Sequence, residues 1–155
     1  AEDGIRDSVA SRGLGDVYKR QAITSQVLRH NQPAPAPVVL LSGGETTVKV
    51  KGNGRGGRNT EFLLAFAITL FERSKQHLPR VSAIACDTDG IDGTEDNAGA
   101  LYLPTTFQRA RNQDINLVRA LYENDGYTVF KDLGDLVITG PTLTNVNDFR
   151  AILIQ

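Results

Sequence analysis

Val38-Val39-Leu40-Leu41-Ser42-Gly43-Gly44-Glu45, continued through residues 46–51 into Gly52-Asn53-Gly54-Arg55-Gly56-Gly57-Arg58-Asn59, is the stretch whose reading decides the fold. The short continuous apolar run at 38–41 suits a buried strand. Residues 45–51 alternate instead, with Thr46, Val48 and Val50 set against Thr47, Lys49 and Lys51, the pattern of a strand with one wet face. Gly43-Gly44 between them reads as a hairpin turn, because glycine reaches positive φ at no steric cost. The glycine-arginine loop then opens onto a helix that Asn59 can cap, with Glu61 suited to the positive N-terminal end. Phe62, Leu63, Phe66, Ala67 and Leu70, joined by Phe71, mark its apolar face, and the pattern fades before Pro79.

Downstream, residues 81–86 form a second buried strand that runs into an acidic glycine loop at 87–96. A short strand or helix end is expected at 98–103. A helix over 107–111 is capped by Thr105 or Thr106, one over 115–123 by Asp114, and a third spans 126–133 with Tyr127 and Phe130 inward. Residues 136–138 make a strand, 139–145 a loop, and 149–154 a final alternating strand. Upstream, Ile23, Val27 and Leu28 give a short amphipathic helix over 22–31, which Gln32-Pro33-Ala34-Pro35-Ala36-Pro37 stops as a stiff linker. Residues 1–21 hold no period, and 12–21 resemble translated sequencing-adaptor read-through. They are therefore expected to be a non-native or disordered leader on a fragment of a longer reading frame. The resulting expectation is a single α/β domain over 38–155, three-layer-like, with a mixed β-sheet that includes an N-terminal β-hairpin and is flanked by helices. Residues 22–37 close a preceding segment.

The 155 residues suffice for one ordinary core, and a net charge of −1 provides no field to recruit nucleic acid or an anionic membrane. No apolar run approaches the roughly 18 residues that span a bilayer. Cys86 is the only cysteine, so no intrachain disulfide forms, and a cytoplasmic location is expected.

Three loops carry candidate chemistry. In the first, Gly52, Gly54 and Gly57 formally satisfy the dinucleotide pattern, but a half-wet strand precedes them and no ribose-binding acid lies at a following strand end. What survives is an anion site: backbone donors at Gly56, Gly57 and Asn59 at a helix start, with Arg55 and Arg58 as bidentate donors. The bland alternative is a turn with solvated arginines. In the second, Asp87 ends a buried strand, and Asp87, Asp89 and Asp92 crowd negative charge that calls for a cation such as Mg²⁺ or for the arginines of the first loop. Aspartates capping a polar turn would look the same. The third, with Thr142, Thr144 and Asn145, is weak alone and matters by its position after a strand. His30 and His77 read as surface residues and Cys86 as a packed small hydrophobe.

Four motifs in order make the chain recognisable: Ser42-Gly43-Gly44-Glu45-Thr46-Thr47; Gly52-x-Gly54-Arg55-Gly56-Gly57-Arg58-Asn59-x-Glu61; Thr88-Asp89-Gly90-Ile91-Asp92-Gly93; and Thr139-Gly140-Pro141-Thr142-x-Thr144-Asn145-Val146-Asn147-Asp148. Together they resemble the MOFRL domain, the C-terminal part of the type-2 (class II) glycerate kinases, some of which carry the label hydroxypyruvate reductase. The resemblance runs from about Val38 to Ile154. It implies an ATP-dependent, Mg²⁺-using kinase that converts D-glycerate to 2-phosphoglycerate in a cleft shared with a larger N-terminal domain, so that this fragment is inactive alone. It sets glycerate and a nucleotide as partners and leaves a homo-oligomer open. Within it Arg58 is the first choice to hold a phosphate or the glycerate carboxylate, and Arg55 the second. Asp89 is the preferred metal or hydroxyl partner, backed by Asp87 and Asp92. Ser42, Gly43, Gly44 and Glu45 face the cleft, and Thr142, Thr144 and Asn145 wall it. The competing readings are a hydroxypyruvate reductase and a non-catalytic structural or oligomerisation module.

Overall fold

The computed structural model describes residues 12–44 and 50–155. Its elements in order are α1 (Arg12–His30), β1 (Val38–Gly43), α2 (Arg58–Ser74), a 3-10 segment (Lys75–Arg80), β2 (Val81–Asp87), β3 (Gly99–Tyr102), α3 (Thr106–Asn112), α4 (Leu117–Tyr122), α5 (Gly126–Asp132), β4 (Leu136–Val137) and β5 (Asp148–Ile154). They make one α/β domain with a five-stranded sheet in the order β1-β5-β2-β3-β4.

Every strand pair is antiparallel, where a mixed sheet was expected. The reason is the last strand. β1 and β2 flank a helical crossover and point the same way, but β5 inserts between them, pairing Leu40 with Ile152 on one side and Ala83 with Ile152 on the other. The expected hairpin partner of β1 falls mostly on residues 45–49, outside the described residues, and Val50 and Lys51 are not in a strand.

α2 is the centre of the core. Phe62, Leu63, Phe66, Ala67 and Leu70 of its expected apolar face are buried and Phe71 is half-buried, and Leu64 and Ile68 are buried too, because other elements pack around it. Val81, Ala83, Ala85, Ala100, Tyr102, Ile152 and Ile154 meet it from the sheet in one hydrophobic cluster. Phe66 packs edge-on to Tyr102, and Phe71 stacks on Phe107 of α3 at 4.5 Å. The opposite sheet face presents Val39, Leu41 and Phe149 to the exterior. Among the described residues the domain therefore has two layers, not three.

Three local expectations shift. α1 is longer than the helix expected at 22–31, reaching back into the stretch that held no apolar period. Its inward stripe runs Val17, Gln21, Thr24, Val27, Leu28, and two of its five positions are polar. Gln21 Nε2 donates to the Ala65 carbonyl and Thr24 Oγ1 to that of Arg20, so both are buried with partners. The cap of α4 is Asn116, whose side chain accepts from Arg119 N, and not Asp114, which sits at φ 55°. α2 begins at Arg58, with Gly57 rather than Asn59 in the cap position.

Candidate functional site

The C-terminal ends of β1 and β2 and the N-terminal end of β5 share one edge of the sheet, since Gly43 pairs with Phe149 and Asp87 with Asp148. Three loops converge there: residues 50–57 before α2, residues 88–98 between β2 and β3, and residues 138–147 before β5.

The glycines of the first loop serve packing. A Cβ on Gly52 would lie 2.3 Å from the Glu123 carbonyl oxygen, and one on Gly54 2.5 Å from that oxygen and from Asp125 Cβ. Those approaches let the loop bond the turn between α4 and α5. Lys51 N and Gly52 N donate to Asn124 Oδ1 at 2.7 and 2.9 Å, Gly54 N to the Glu123 carbonyl at 2.8 Å, and Arg55 N to Asp125 Oδ1 at 3.0 Å. Asn124 Nδ2 in turn donates to Glu61 Oε2 at 2.6 Å. Burial pushes the Glu61 carboxyl above the usual range, and the Asn124 bond opposes that.

The helix start is already occupied by an anion, and the anion is the protein's own. Asp92 Oδ1 accepts from Asn59 N at 2.9 Å, and Oδ2 from Thr60 N at 2.9 Å. Gly57 N donates to Thr60 Oγ1. The donors expected to cradle a ligand at Gly57 and Asn59 thus point at protein acceptors. Asp92 is fully buried. Burial pushes its carboxyl up, and the bonds from Asn59 and Thr60 pull it back.

Arg58 leaves the same helix start in the other direction. Its Nε donates to Asp148 Oδ1 at 2.7 Å, and its Nη2 pairs with Asp87 Oδ2. Asp148 Oδ1 also takes Asn59 Nδ2 at 2.9 Å, and its Oδ2 takes Arg150 Nη2 at 2.6 Å. Arg150 is buried, with its guanidinium 4.6 Å from the centre of the Phe62 ring. Among the described residues, two guanidiniums thus face two carboxylates. Only Arg58 reaches solvent, with 27% of its side chain exposed against 3% for Asp87 and 0% for Asp148. Despite the arginine, burial leaves the Asp87 carboxyl above the ordinary aspartate range, with Asp89 N–H and Arg58 opposing it. Burial, followed by Asp92 and Asp87, pushes the Cys86 thiol up to about 12, as expected of an inert packed cysteine.

Arg55 is elsewhere. It forms a two-point pair with Glu95, at 3.1 and 2.5 Å, and lies 4.4 Å over the Tyr127 ring. The third loop is stapled to the second. Thr142 N donates to the Asp89 carbonyl at 3.0 Å, Thr142 Oγ1 to the Thr88 carbonyl, and Asn145 Nδ2 to Asp89 Oδ2 at 3.4 Å. Gly90 makes this approach feasible, at φ 96° and with a Cβ position 2.1 Å from the Gly140 carbonyl oxygen. Thr144 and the tip residue Leu143 are exposed.

Of the expected site residues, the structure brings Arg58, Asn59, Asp87 and Asp92 into one network. Asp89, Thr142 and Asn145 stand beside it, Ser42, Gly43 and Gly44 lie at the end of β1 on the same edge, and Arg55 stands apart. Glu45 lies outside the described residues. Among the described residues no three His, Cys, Asp or Glu side chains are grouped to hold a metal ion. Asp87 and Asp92 are engaged by Arg58 and the helix start. Half-buried Asp89 accepts from Ile91 N at 2.9 Å and from Asn145 Nδ2 at 3.4 Å, and as the one of the three that meets neither a guanidinium nor the helix start it fits a Mg²⁺ that takes one or two carboxylates beside substrate phosphates. Sequence reasoning assigned no role to Asp148, Arg150 or Asn124. Alternation in β5 placed Arg150 on the same face as Ile152 and Ile154, and that was the available signal.

The MOFRL family model matches residues 38–148. A protein of Agrobacterium vitis, provisionally named a hydroxypyruvate reductase, is 56% identical over 79% of this chain and 27% of its own length. A D-glycerate 2-kinase of Thermotoga maritima is 40% identical over 99% of this chain and 37% of its own. The crystal structure of a glycerate kinase from that organism superposes with a TM-score of 0.83 at 37% identity, covering 93% of this chain and 34% of the other. The chain spans about a third of the length of the curated relatives it matches. With the second, third and fourth motifs gathered at one end of the sheet and the family model covering most of its length, the chain belongs to the MOFRL family.

Proposed function

We propose that this chain is the C-terminal portion of an ATP-dependent D-glycerate 2-kinase, whose site is completed by an N-terminal domain of the longer protein. The observation that carries the reading is Arg58. It is a guanidinium held from behind by two buried carboxylates, at an edge where three loops meet, with part of its side chain left at the surface. Phosphoryl transfer asks a protein mainly for positioning and charge stabilisation. The glycerate 2-hydroxyl oxygen would form the new bond to the γ-phosphorus, the bond to the β,γ-bridging oxygen would break with its electrons leaving on ADP, and the hydroxyl proton would pass to Asp89 or to water. Arg58 would hold the substrate carboxylate or the transferring phosphoryl oxygens. Asp89 would offer its carboxylate to Mg²⁺ or to the hydroxyl, and Thr142, Thr144 and Asn145 would wall the cleft. Mg²⁺ supplies neutralisation of phosphate charge when bound.

The test is glycerate-dependent ADP release by the longer protein that carries this segment, with the phosphorylated position assigned by ³¹P–¹H correlation. Phosphate on the 2-oxygen is expected. Absence of turnover with glycerate and ATP, in a folded protein, would sink the reading. The reductase alternative has the provisional name of the Agrobacterium relative in its favour. Against it stand Gly52, Gly54 and Gly57, whose close approaches are spent on Glu123, Asp125 and Asp92. Fluorescence titration with NADH is expected to show no saturable binding.

A further inference from the structure

We propose that Asp148, locked by Arg150 and Asn59, is the positioning residue that sets the direction of the Arg58 guanidinium. The proposal rests on the kinase reading for its functional consequence and on geometry for its structural one. Asp148 Oδ1 accepts from Arg58 Nε at 2.7 Å and from Asn59 Nδ2 at 2.9 Å, and Oδ2 accepts from Arg150 Nη2 at 2.6 Å. Neither oxygen is left to turn toward another partner without losing a bond. Arg150 is itself fixed, since it lies 4.6 Å over the Phe62 ring and is paired with Asp148 in the interior.

A buried ion cluster is a poor device for stability, because desolvating the charges offsets most of their attraction. Apolar side chains at 148 and 150 would fill the space at less cost. What the cluster does provide is a fixed angle. The Nε–H of Arg58 points inward at a carboxylate that cannot rotate, and with Nη2 on Asp87 the plane of the guanidinium has one direction. Asn59 follows Arg58 in the chain and grips both Asp92 and Asp148. The helix start and the strand start are therefore tied through one amide.

The test uses two variants and two readouts. Asp148→Asn alone leaves Arg58 and Arg150 facing an amide and is a stringent stability challenge. The double variant D148N/R150M removes one charge of each sign, keeps the side-chain volumes close and is expected to fold. In this chain, the ¹⁵Nε–¹H signal of Arg58 is expected to be resolved and slowly exchanging, and to broaden in the double variant while the backbone spectrum persists. In the longer protein the double variant is expected to lose about a hundredfold in kcat, with the KM for ATP unchanged within threefold, as for a misdirected group. An unaltered Arg58 signal, or kcat within twofold of the parent, overturns the proposal. If the parent protein does not phosphorylate glycerate, the kinase reading fails and the exchange measurement alone decides the positioning role.

Discussion

Gly57 and Asp92 approach so closely that a Cβ on Gly57 would lie 2.4 Å from the Asp92 carboxyl carbon. This contact lets a carboxylate from the loop after β2 reach the first turn of α2 and cap two of its backbone N–H groups. Gly57→Ala should force the loops apart and loosen that cap together. A loss of about 2–4 kcal/mol is expected, combining overpacking with a lost cap. Thermal and urea unfolding of the parent and variant chains measure it. A variant as stable as the parent would show that the loops adjust at no cost.

The Asp92 cap should also leave a pH signature. Burial raises the folded-state pKa above the ordinary aspartate value of 3.8. The folded state then holds this proton more readily than the unfolded chain does. Stability contributed through Asp92 is thus largest below about 3.8, falls as pH rises towards the raised folded value, and is level above it. This is the reverse of a salt-bridged aspartate. The stability difference between the parent and Asp92→Asn is therefore expected to widen on acidification through that window. A difference that narrows as pH falls would mean that the hydrogen bonds outweigh the burial.

Much of this architecture could be read in advance, and the parts that could not have a common cause. The apolar face of α2 and the strands at 81–86 and 149–154 declare themselves, because most of the burial there is of plain hydrophobes. The apolar period of α1 is broken because Gln21 and Thr24 occupy buried positions, Gln21 donating to the remote Ala65 carbonyl and Thr24 to that of Arg20 one turn back. Sheet direction was missed because no local pattern tells a strand whether its neighbour comes from the next element or from the far end of the chain, as β5 does. The glycines of the first loop were seen, but their partners at Glu123–Asp125 are remote in sequence, so close packing looked like a ligand cradle. Arg58 stands out in the sequence because an arginine at a glycine-rich helix start suits an anion, and the anions that the structure sets against it are Asp87 and Asp148. The alternation of β5 sets Asp148 and Arg150 on the face of Ile152 and Ile154, but a charge there shows its use only once its partner at the start of α2 is known.

Asn124 shows how far that remote packing can be tested. Its Oδ1 accepts from Lys51 N and Gly52 N, its Nδ2 donates to Glu61, and its backbone sits at φ 57°, in the left-handed region. Asn124→Ala leaves two backbone donors without their acceptor and removes a side chain that tolerates that φ. A loss of about 1–3 kcal/mol is expected. Asn124→Gly relieves only the backbone component, so the two variants together separate φ from hydrogen bonding. Equal stability of both with the parent would argue that the first loop is held by the Gly54–Glu123 and Arg55–Asp125 bonds without Asn124.

The two arginines of the first loop should behave oppositely. On the proposed kinase reading, Arg55→Ala in the longer protein is expected to change glycerate turnover by less than about threefold, since the Arg55 side chain is 55% exposed in a surface ion pair with Glu95. Arg58→Ala removes the one guanidinium of the buried network that reaches the surface, and strips Asp87 and Asp148 of a shared partner. A fall in kcat/KM of about a thousandfold or more is expected in the longer protein, in line with loss of an arginine that stabilises phosphoryl-transfer charge. Arg58→Lys should recover little of it. A single ammonium cannot bond Asp148 through an Nε–H, pair with Asp87 and still present a planar edge outward. Steady-state kinetics of the three variants, with unfolding curves to exclude collapse, decide the matter. Arg58→Ala within twofold of the parent would remove Arg58 from the site, and a lysine variant near parental activity would reduce its role to bare charge.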